Sequence, residues 1–333
     1  MAKIHLRGLG EPSPETREYF AFFKDWAGRS LRHAPVDDPA EADFILFVFG
    51  TDLRAPLTAE EEALLTQRPD DCFALDGIDR PIGFLPGLYA ALPARAFDPA
   101  RFRTYCYPVE NRQVEAAWEA RPEKSLFLSF LGGASSPLRQ RLYRRRDGRS
   151  DILIEDTTSH QEWNPHQPAW AERKTRYAEV LARSEFSLCP RGAGVGSIRL
   201  FEAMQAGSVP VLLSDAYVLP ASPGPKWDEF LIRLPESAAA QSDLPALLEP
   251  WREQSREMGL RARQAWETWF APAVWLDRIV ENLEAIRADR AQSGQTRTEA
   301  SHRRRWPWWK FKREAGERVR NSLRRIRNRL RSR

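Results

Sequence analysis

Residues 189–215 read CPRGAGVGSIRLFEAMQAGSVPVLLSD, and few folds accommodate such a run. An apolar segment, Phe186–Cys189, enters a turn holding Gly192, Gly194 and Gly196. A helix-period stretch, Ser197–Ala206, follows, and the apolar run VPVLL then ends at Ser214-Asp215. Strand, glycine turn, helix and strand form the repeating unit of a parallel α/β sheet, because a crossover helix is what returns the chain to lay a second strand in the same direction. A glycine turn opening a helix also implies a phosphate, since the first N–H groups of the helix are left free to bind an anion. The spacing imitates a dinucleotide fingerprint, with Asp215 about 20 residues on. Three features count against that reading. Ser197 holds the third glycine position, and Pro190-Arg191 interrupts the passage from strand to turn. Arg199 and Glu202 also stand three apart on one helix face. Facing solvent, they make a minor ion pair beside a tight turn. Facing a cleft, the guanidinium grips a diphosphate and the carboxylate accepts bonds from ribose hydroxyls. A Walker-type ATP site is excluded, because no Gly-Lys-Ser/Thr occurs.

The rest of the chain repeats the pattern. KIHLRGL and the buried run Phe44–Phe49 read as strands, with a helix over residues 58–66 between loops. From Pro81 to Tyr107 the Pro/Gly/Tyr-rich composition predicts loops with little regular structure, a cleft wall and hinge. A second series starts with SLFLSFLG, continues through Gly132-Gly133 into LRQRLYRRR, and includes the strand DILIEDT and a helix over 171–183. Gly132 and Gly133 with Arg139 read either as a second phosphate-facing loop or as a plain turn. With 333 residues, two α/β domains are expected: 1–118, and 119–290 with the nucleotide site, followed by a linker and tail over 291–333.

Composition narrows the setting. Cys72, Cys106 and Cys189 are sparse and widely spaced, which implies a reducing compartment and no disulfide framework. Neither paired histidines nor Cys-x-x-Cys suggests zinc. The opening residues lack a charged-then-apolar leader, so no secretion is expected, and no run approaches a membrane span. The basic charge is confined to residues 301–333, which carry 14 Arg and Lys against Glu314 and Glu317 and leave the remainder net acidic. There Trp306, Trp308, Trp309 and Phe311 precede an arginine-covered helix pattern striped by Val319, Leu323, Ile326 and Leu330. Such a segment fits the surface of an anionic membrane. Nucleic-acid binding and a solvated tail are the competing readings, and no nucleic acid is expected as partner.

The core stretch, extended to CPRGAGVGSIRLFEAMQAGSVPVLLSDAYVLP, resembles the donor-binding motif of the exostosin family of glycosyltransferases. The likeness rests on the Pro-Arg-Gly turn, the Ser-x-Arg-Leu-x-Glu-Ala helix, the Gly-x-Val-Pro-Val strand and the Asp-x-x-x-Leu-Pro exit. KWDEFLIRLPES, DPAEADFILFV and LFLSFLGGASSPLRQRL are similar to flanking elements of that family, so the resemblance touches most of residues 35–237. Ser208 stands where the family commonly has cysteine. The resemblance implies a GT-B fold, two Rossmann-like domains facing a cleft. It also implies an inverting transferase that moves a hexosyl or glycuronosyl group from a nucleotide-sugar, a UDP-sugar foremost, to a glycan acceptor. Arg191, Gly192, Gly194, Ser197, Arg199 and Glu202 would form the donor site, with Asp215 and Tyr217 at its rim. No Asp-x-Asp occurs, so the expected chemistry uses neither metal nor cofactor, the nucleotide-sugar being substrate.

A direct displacement needs a base for the acceptor hydroxyl. Asp76 and Asp79 in FALDGIDRPIG are the candidates, with Glu110, Glu155, Asp156 and His160 as rivals. Combined with the tail, the reading is a cytoplasmic enzyme at the inner face of the cell membrane, acting on a lipid-linked cell-surface polysaccharide. Two alternatives stand: a fucosyltransferase-like GT-B enzyme using a GDP-sugar, and a non-catalytic membrane- or nucleic-acid-binding adaptor with a retired sugar-nucleotide domain.

Overall fold

The computed structural model describes residues 1–8, 14–49, 58–79, 85–107, 111–145, 148–159, 168–221, 223–238 and 243–293. Residues of the proposed membrane tail, Trp306, Trp308, Trp309, Leu323, Ile326 and Leu330, lie outside them, as do Glu110 and His160.

The first half is a six-stranded parallel sheet in the order β2-β1-β3-β4-β5-β6, formed by Lys3–Gly8, Ala34–Pro35, Phe44–Phe49, Cys72–Asp76, Gly87–Tyr89 and Phe102–Thr104 as β1 to β6. Apolar side chains fill both faces of β3 and β4, as a strand covered on each side by helices requires. The helix α1 (Pro14–Ala27) joins β1 to β2, and α2 (Ala59–Gln67) joins β3 to β4. A complete capping box starts α2: Thr58 Oγ1 accepts from Glu61 N, and the Glu61 carboxylate accepts from Thr58 N. The stretch expected to be irregular holds β5 and β6. Each is only three residues long, and β5 opens on Gly87 at φ +150°, a conformation that glycine supplies without strain. Strands that short leave no alternation to read.

The second half is a five-stranded parallel sheet in the order β11-β10-β9-β7-β8, made of Leu126–Gly132 (β7), Ile152–Asp156 (β8), Ser184–Pro190 (β9), Val209–Leu213 (β10) and Ile232–Leu234 (β11). The chain steps outward from β7 to β8, then returns through α5 (Trp170–Ala182) to lay β9 on the other side of β7. This reversal opens a crevice at the carboxyl ends of β7 and β9, where ligands of open α/β sheets bind. Gly132-Gly133 leaves β7 into α4 (Pro137–Tyr143), and the glycine turn leaves β9 into α6 (Ile198–Gln205). Both glycine loops therefore meet at one switch point.

The two sheets meet by their carboxyl-end loops, where Pro93 bridges Tyr217 and the Asp79 carbonyl faces Gly194, the arrangement of two facing Rossmann-like halves. Two helices cross between halves. Although α3 (Arg112–Glu119) precedes the expected boundary at 118, it lies against α5 and α6 of the second half. After α7 (Leu244–Leu248) and α8 (Ser255–Trp269), the last helix α9 (Trp275–Gln292) returns to the first sheet, covering β5 and β6. There it buries Trp275, Ile279, Val280, Leu283 and Ile286. Arg103–Asp289 at 2.5 Å and Arg287–Asp71 at 2.7 Å tie it down. One apolar cluster runs from Ile4 and Phe73 to Leu200, Phe201 and Tyr217, so the halves share a core.

Candidate functional site

The switch point holds two arginines, Arg199 buried and Arg139 half-buried. Arg199, on the first turn of α6, is 7% exposed, and its guanidinium lies between the rings of Phe130 (4.7 Å) and Tyr177 (5.4 Å). One nitrogen, Nη2, donates to the carbonyl of Leu131, while Nε and Nη1 have no partner. Arg139, on α4, donates to the carbonyls of Gly133 (3.3 Å) and Pro190 (3.1 Å), and its Nε has no partner. Burial, and then the neighbouring charge of Arg199, push Arg139 down to about 10. Among the described residues neither guanidinium forms an ion pair with a carboxylate. Gly132 and Gly192 leave room for them: a Cβ on Gly132 would lie 3.1 Å from Arg199 Nη2, and one on Gly192 would lie 3.4 Å from Arg139 Nη2. Ser197, 2% exposed at the N-cap of α6, has a hydroxyl without a partner and makes no capping bond. Unpartnered donors on a buried and a half-buried guanidinium, beside a helix N-terminus, form an arrangement that can take an anion.

Glu202 lies one turn along the same helix, 9% exposed. Its Oε1 accepts from Asn111 Nδ2 at 2.7 Å and its Oε2 from the Tyr177 hydroxyl at 2.5 Å. Asn111 also caps α3, accepting from Val114 N. Arg199 and Glu202 are therefore buried neighbours flanking one tyrosine, not an exposed pair. Arg191 takes another direction: its Nε meets Glu236 Oε1 at 2.7 Å. Glu236 and Asp215 exchange backbone-to-carboxylate bonds of 3.3 Å and 3.0 Å, so the three residues knit the ends of β9, β10 and β11 together. Tyr217 is buried against the first half, in a backbone bridge with Pro93, and its hydroxyl has no partner.

The first half contributes the acids. Asp76 ends β4, is fully enclosed, and accepts from Ile78 N at 2.8 Å. Burial pushes its carboxyl up to about 8. Asp79 is exposed on the same loop, directly over the glycine turn. A Cβ on Gly194 would lie 2.2 Å from the Asp79 carbonyl oxygen, and one on Gly196 would lie 2.8 Å from the Ala90 carbonyl oxygen. Those two glycines let the halves touch, while Gly132 and Gly192 make room at the arginines. Tyr107 donates to Asp79 Oδ1 at 2.9 Å. Gly133 lies behind, beside Thr158, whose hydroxyl accepts from Ala134 N. The rival acids are committed elsewhere, Glu155 to Arg176 and Asp156 to Thr158.

The family model described as Exostosin GT47 domain matches residues 97–249. That interval contains both glycine loops, Arg139, Arg199 and Glu202. Over these residues the chain is similar to the exostosin family of glycosyltransferases. Over 170 residues it is 31% identical to Exostosin-1 of Mus musculus, a match covering 48% of this chain and 22% of that protein. Over 160 residues it is 28% identical to the Exostosin-1 homolog of Caenorhabditis elegans, covering 44% and 41%. The matches thus span less than half the length of these relatives. Among solved structures, AviGT4, a glycosyltransferase involved in Avilamycin A biosynthesis, aligns over 86% of this chain and 98% of its own, with 14% identity and a TM-score of 0.43.

The match begins at residue 97, so Asp76 and Asp79 lie outside it. Asn111, Tyr177 and Tyr107 are polar partners of this site that the sequence does not reveal. Each meets its partner across 25 to 91 residues of chain, a distance over which periodicity carries no signal.

Proposed function

We propose that the protein moves a sugar from a nucleotide-sugar to an acceptor hydroxyl, with inversion at the anomeric carbon. The observation that carries this reading is the pair at the switch point, buried Arg199 and half-buried Arg139, neither with a carboxylate partner among the described residues. Cations drawn out of water are costly unless an anion completes them, and a diphosphate offers charged oxygens to both guanidiniums and to a helix N-terminus. Glu202, behind them on α6, is placed to accept from the ribose. The acceptor oxygen attacks the anomeric carbon from the face opposite the diphosphate, and its proton passes to Asp79. The anomeric C–O bond breaks, and its electron pair leaves on the nucleoside diphosphate. The charge that grows there falls on Arg139, Arg199 and the start of α6. Asp79 takes the role of base because it is exposed to the cleft. Asp76 is enclosed and shapes the turn beneath it.

The guanidiniums hold the place of a bridging cation, so transfer is independent of divalent metal in this reading. A hexosyl or glycuronosyl UDP-sugar is the donor we favour, on the family likeness. A lipid-linked cell-surface polysaccharide is the favoured acceptor, on the basic, Trp-rich tail that would hold the enzyme at the inner face of the membrane. A thermal-shift series with UDP-, GDP- and CMP-sugars, with NAD as control, tests the donor site. At about 100-fold excess over Kd a true donor stabilises by about 2.7 kcal/mol. A shift with NAD alone, or with no nucleotide-sugar, overturns the reading; a GDP-sugar shift selects the fucosyltransferase-like alternative.

A further inference from the structure

We propose that Tyr107 is a positioning residue for transfer, holding the Asp79 carboxylate in register with the phosphate-binding turn; the proposal rests on the reading of Asp79 as the base. Tyr107 lies three residues beyond β6, in the segment that leads out of the first half. Its hydroxyl donates to Asp79 Oδ1 at 2.9 Å. Its ring lies against the turn of the other half: a Cβ on Gly196 would meet the Tyr107 hydroxyl at 3.0 Å and Cε2 at 3.2 Å. One side chain therefore touches both the acid that takes the proton and the loop that seats the leaving group.

The geometry explains why a tether is needed. The backbone of Asp79 is fixed, because its carbonyl is pressed on Gly194. Its carboxylate is exposed and, without Tyr107, free to sample every staggered rotamer in water. A misplacement of about 1 Å costs a reaction on the order of 100-fold. Tyrosine suits the task because it has only two side-chain torsions and its ring is already wedged. Burial holds the phenol well above its ordinary range, so it stays a donor wherever the protein is folded and active. Asp76 and Tyr217, the other titratable groups facing this phenol, are enclosed and leave the hydrogen bond to Asp79 intact.

Tyr107→Phe in the full chain keeps the ring and deletes the donor. Turnover is read with the nucleotide-sugar of largest thermal shift, with water as acceptor. The expected result is a kcat lower by about 10- to 100-fold, with KM for the donor and affinity for UDP unchanged. In an Asp79→Asn background the same change adds nothing, because there is no longer a base to place. An unchanged kcat for Tyr107→Phe, or an equal further loss on top of Asp79→Asn, overturns the proposal while leaving Asp79 as the base. Full activity of Asp79→Asn overturns both. Crystals of Tyr107→Phe with UDP give a reading independent of turnover: an Asp79 carboxylate unmoved and fully ordered overturns the tether.

Discussion

Arg199 keeps its proton between two aromatic rings because guanidinium is the cation least easily neutralised by burial. A lysine there would shed its charge; an arginine waits for an anion. Each hydrogen bond to a charged group contributes about 1.5–3 kcal/mol, so Arg199→Gln and Arg139→Gln should each weaken nucleoside diphosphate binding by about 10- to 100-fold. Titration calorimetry against UDP checks this, with thermal unfolding to confirm that the fold persists. Asp76 responds to burial in the opposite way, by holding a proton up to about 8. The folded state then binds a proton that the unfolded chain releases above the ordinary carboxylate range. Stability from this group is therefore full at low pH and is lost as pH rises toward about 8. Asp76→Asn can still accept from Ile78 N but carries no titrating group. Its Tm should match the wild type near about pH 4 and exceed it increasingly toward about pH 8.5, and melting curves across that range decide the matter.

At the scale of elements, the strand-turn-helix-strand unit was legible because every part of it is local. The apolar runs give β9 and β10, the glycines give the turn, and the spacing of Arg199 and Glu202 gives their common helix. Which glycine serves which purpose was not legible. Gly194 and Gly196 stand where the first half presses on the turn, and Gly132 and Gly192 where the arginines lie. Close approach between segments 53 to 115 residues apart leaves no mark on local spacing. Gly194→Ala would drive a methyl into the Asp79 carbonyl, so the expected loss is about 1–3 kcal/mol of stability, the usual cost of overpacking. Denaturant unfolding measures it, and an unchanged midpoint would show that the loop over the turn yields freely. Arg191 makes the same point. Its place beside the turn suggested a phosphate ligand, yet its guanidinium faces Glu236, 45 residues on.

For the whole molecule, two sheets meet by their carboxyl ends, and helices exchanged between them make the halves one core. Asp76 and Asp79 come from one half and the arginines with the glycine turn from the other, so the proposed chemistry needs both. The tail adds a separate expectation: deleting residues 301–333 should release the protein from anionic liposomes while leaving donor affinity unchanged. Co-sedimentation of the shortened chain equal to the full one would dismiss the membrane role.

The amino-acid sequence by itself determined the parallel α/β architecture, the glycine turn between strand and helix and the likeness of that turn to the exostosin family, because periodicity, glycine spacing and a helix face are written within a few residues of one another. Only the tertiary structure decided which side chains share the site. Tyr177 and Asn111 hold Glu202, Tyr107 holds Asp79, and Arg139 joins Arg199 without a carboxylate between them. The physical reason is burial. Whether a charge is paired, orphaned or neutralised depends on what the folded chain brings within a few ångströms, and those neighbours come from distant parts of the chain.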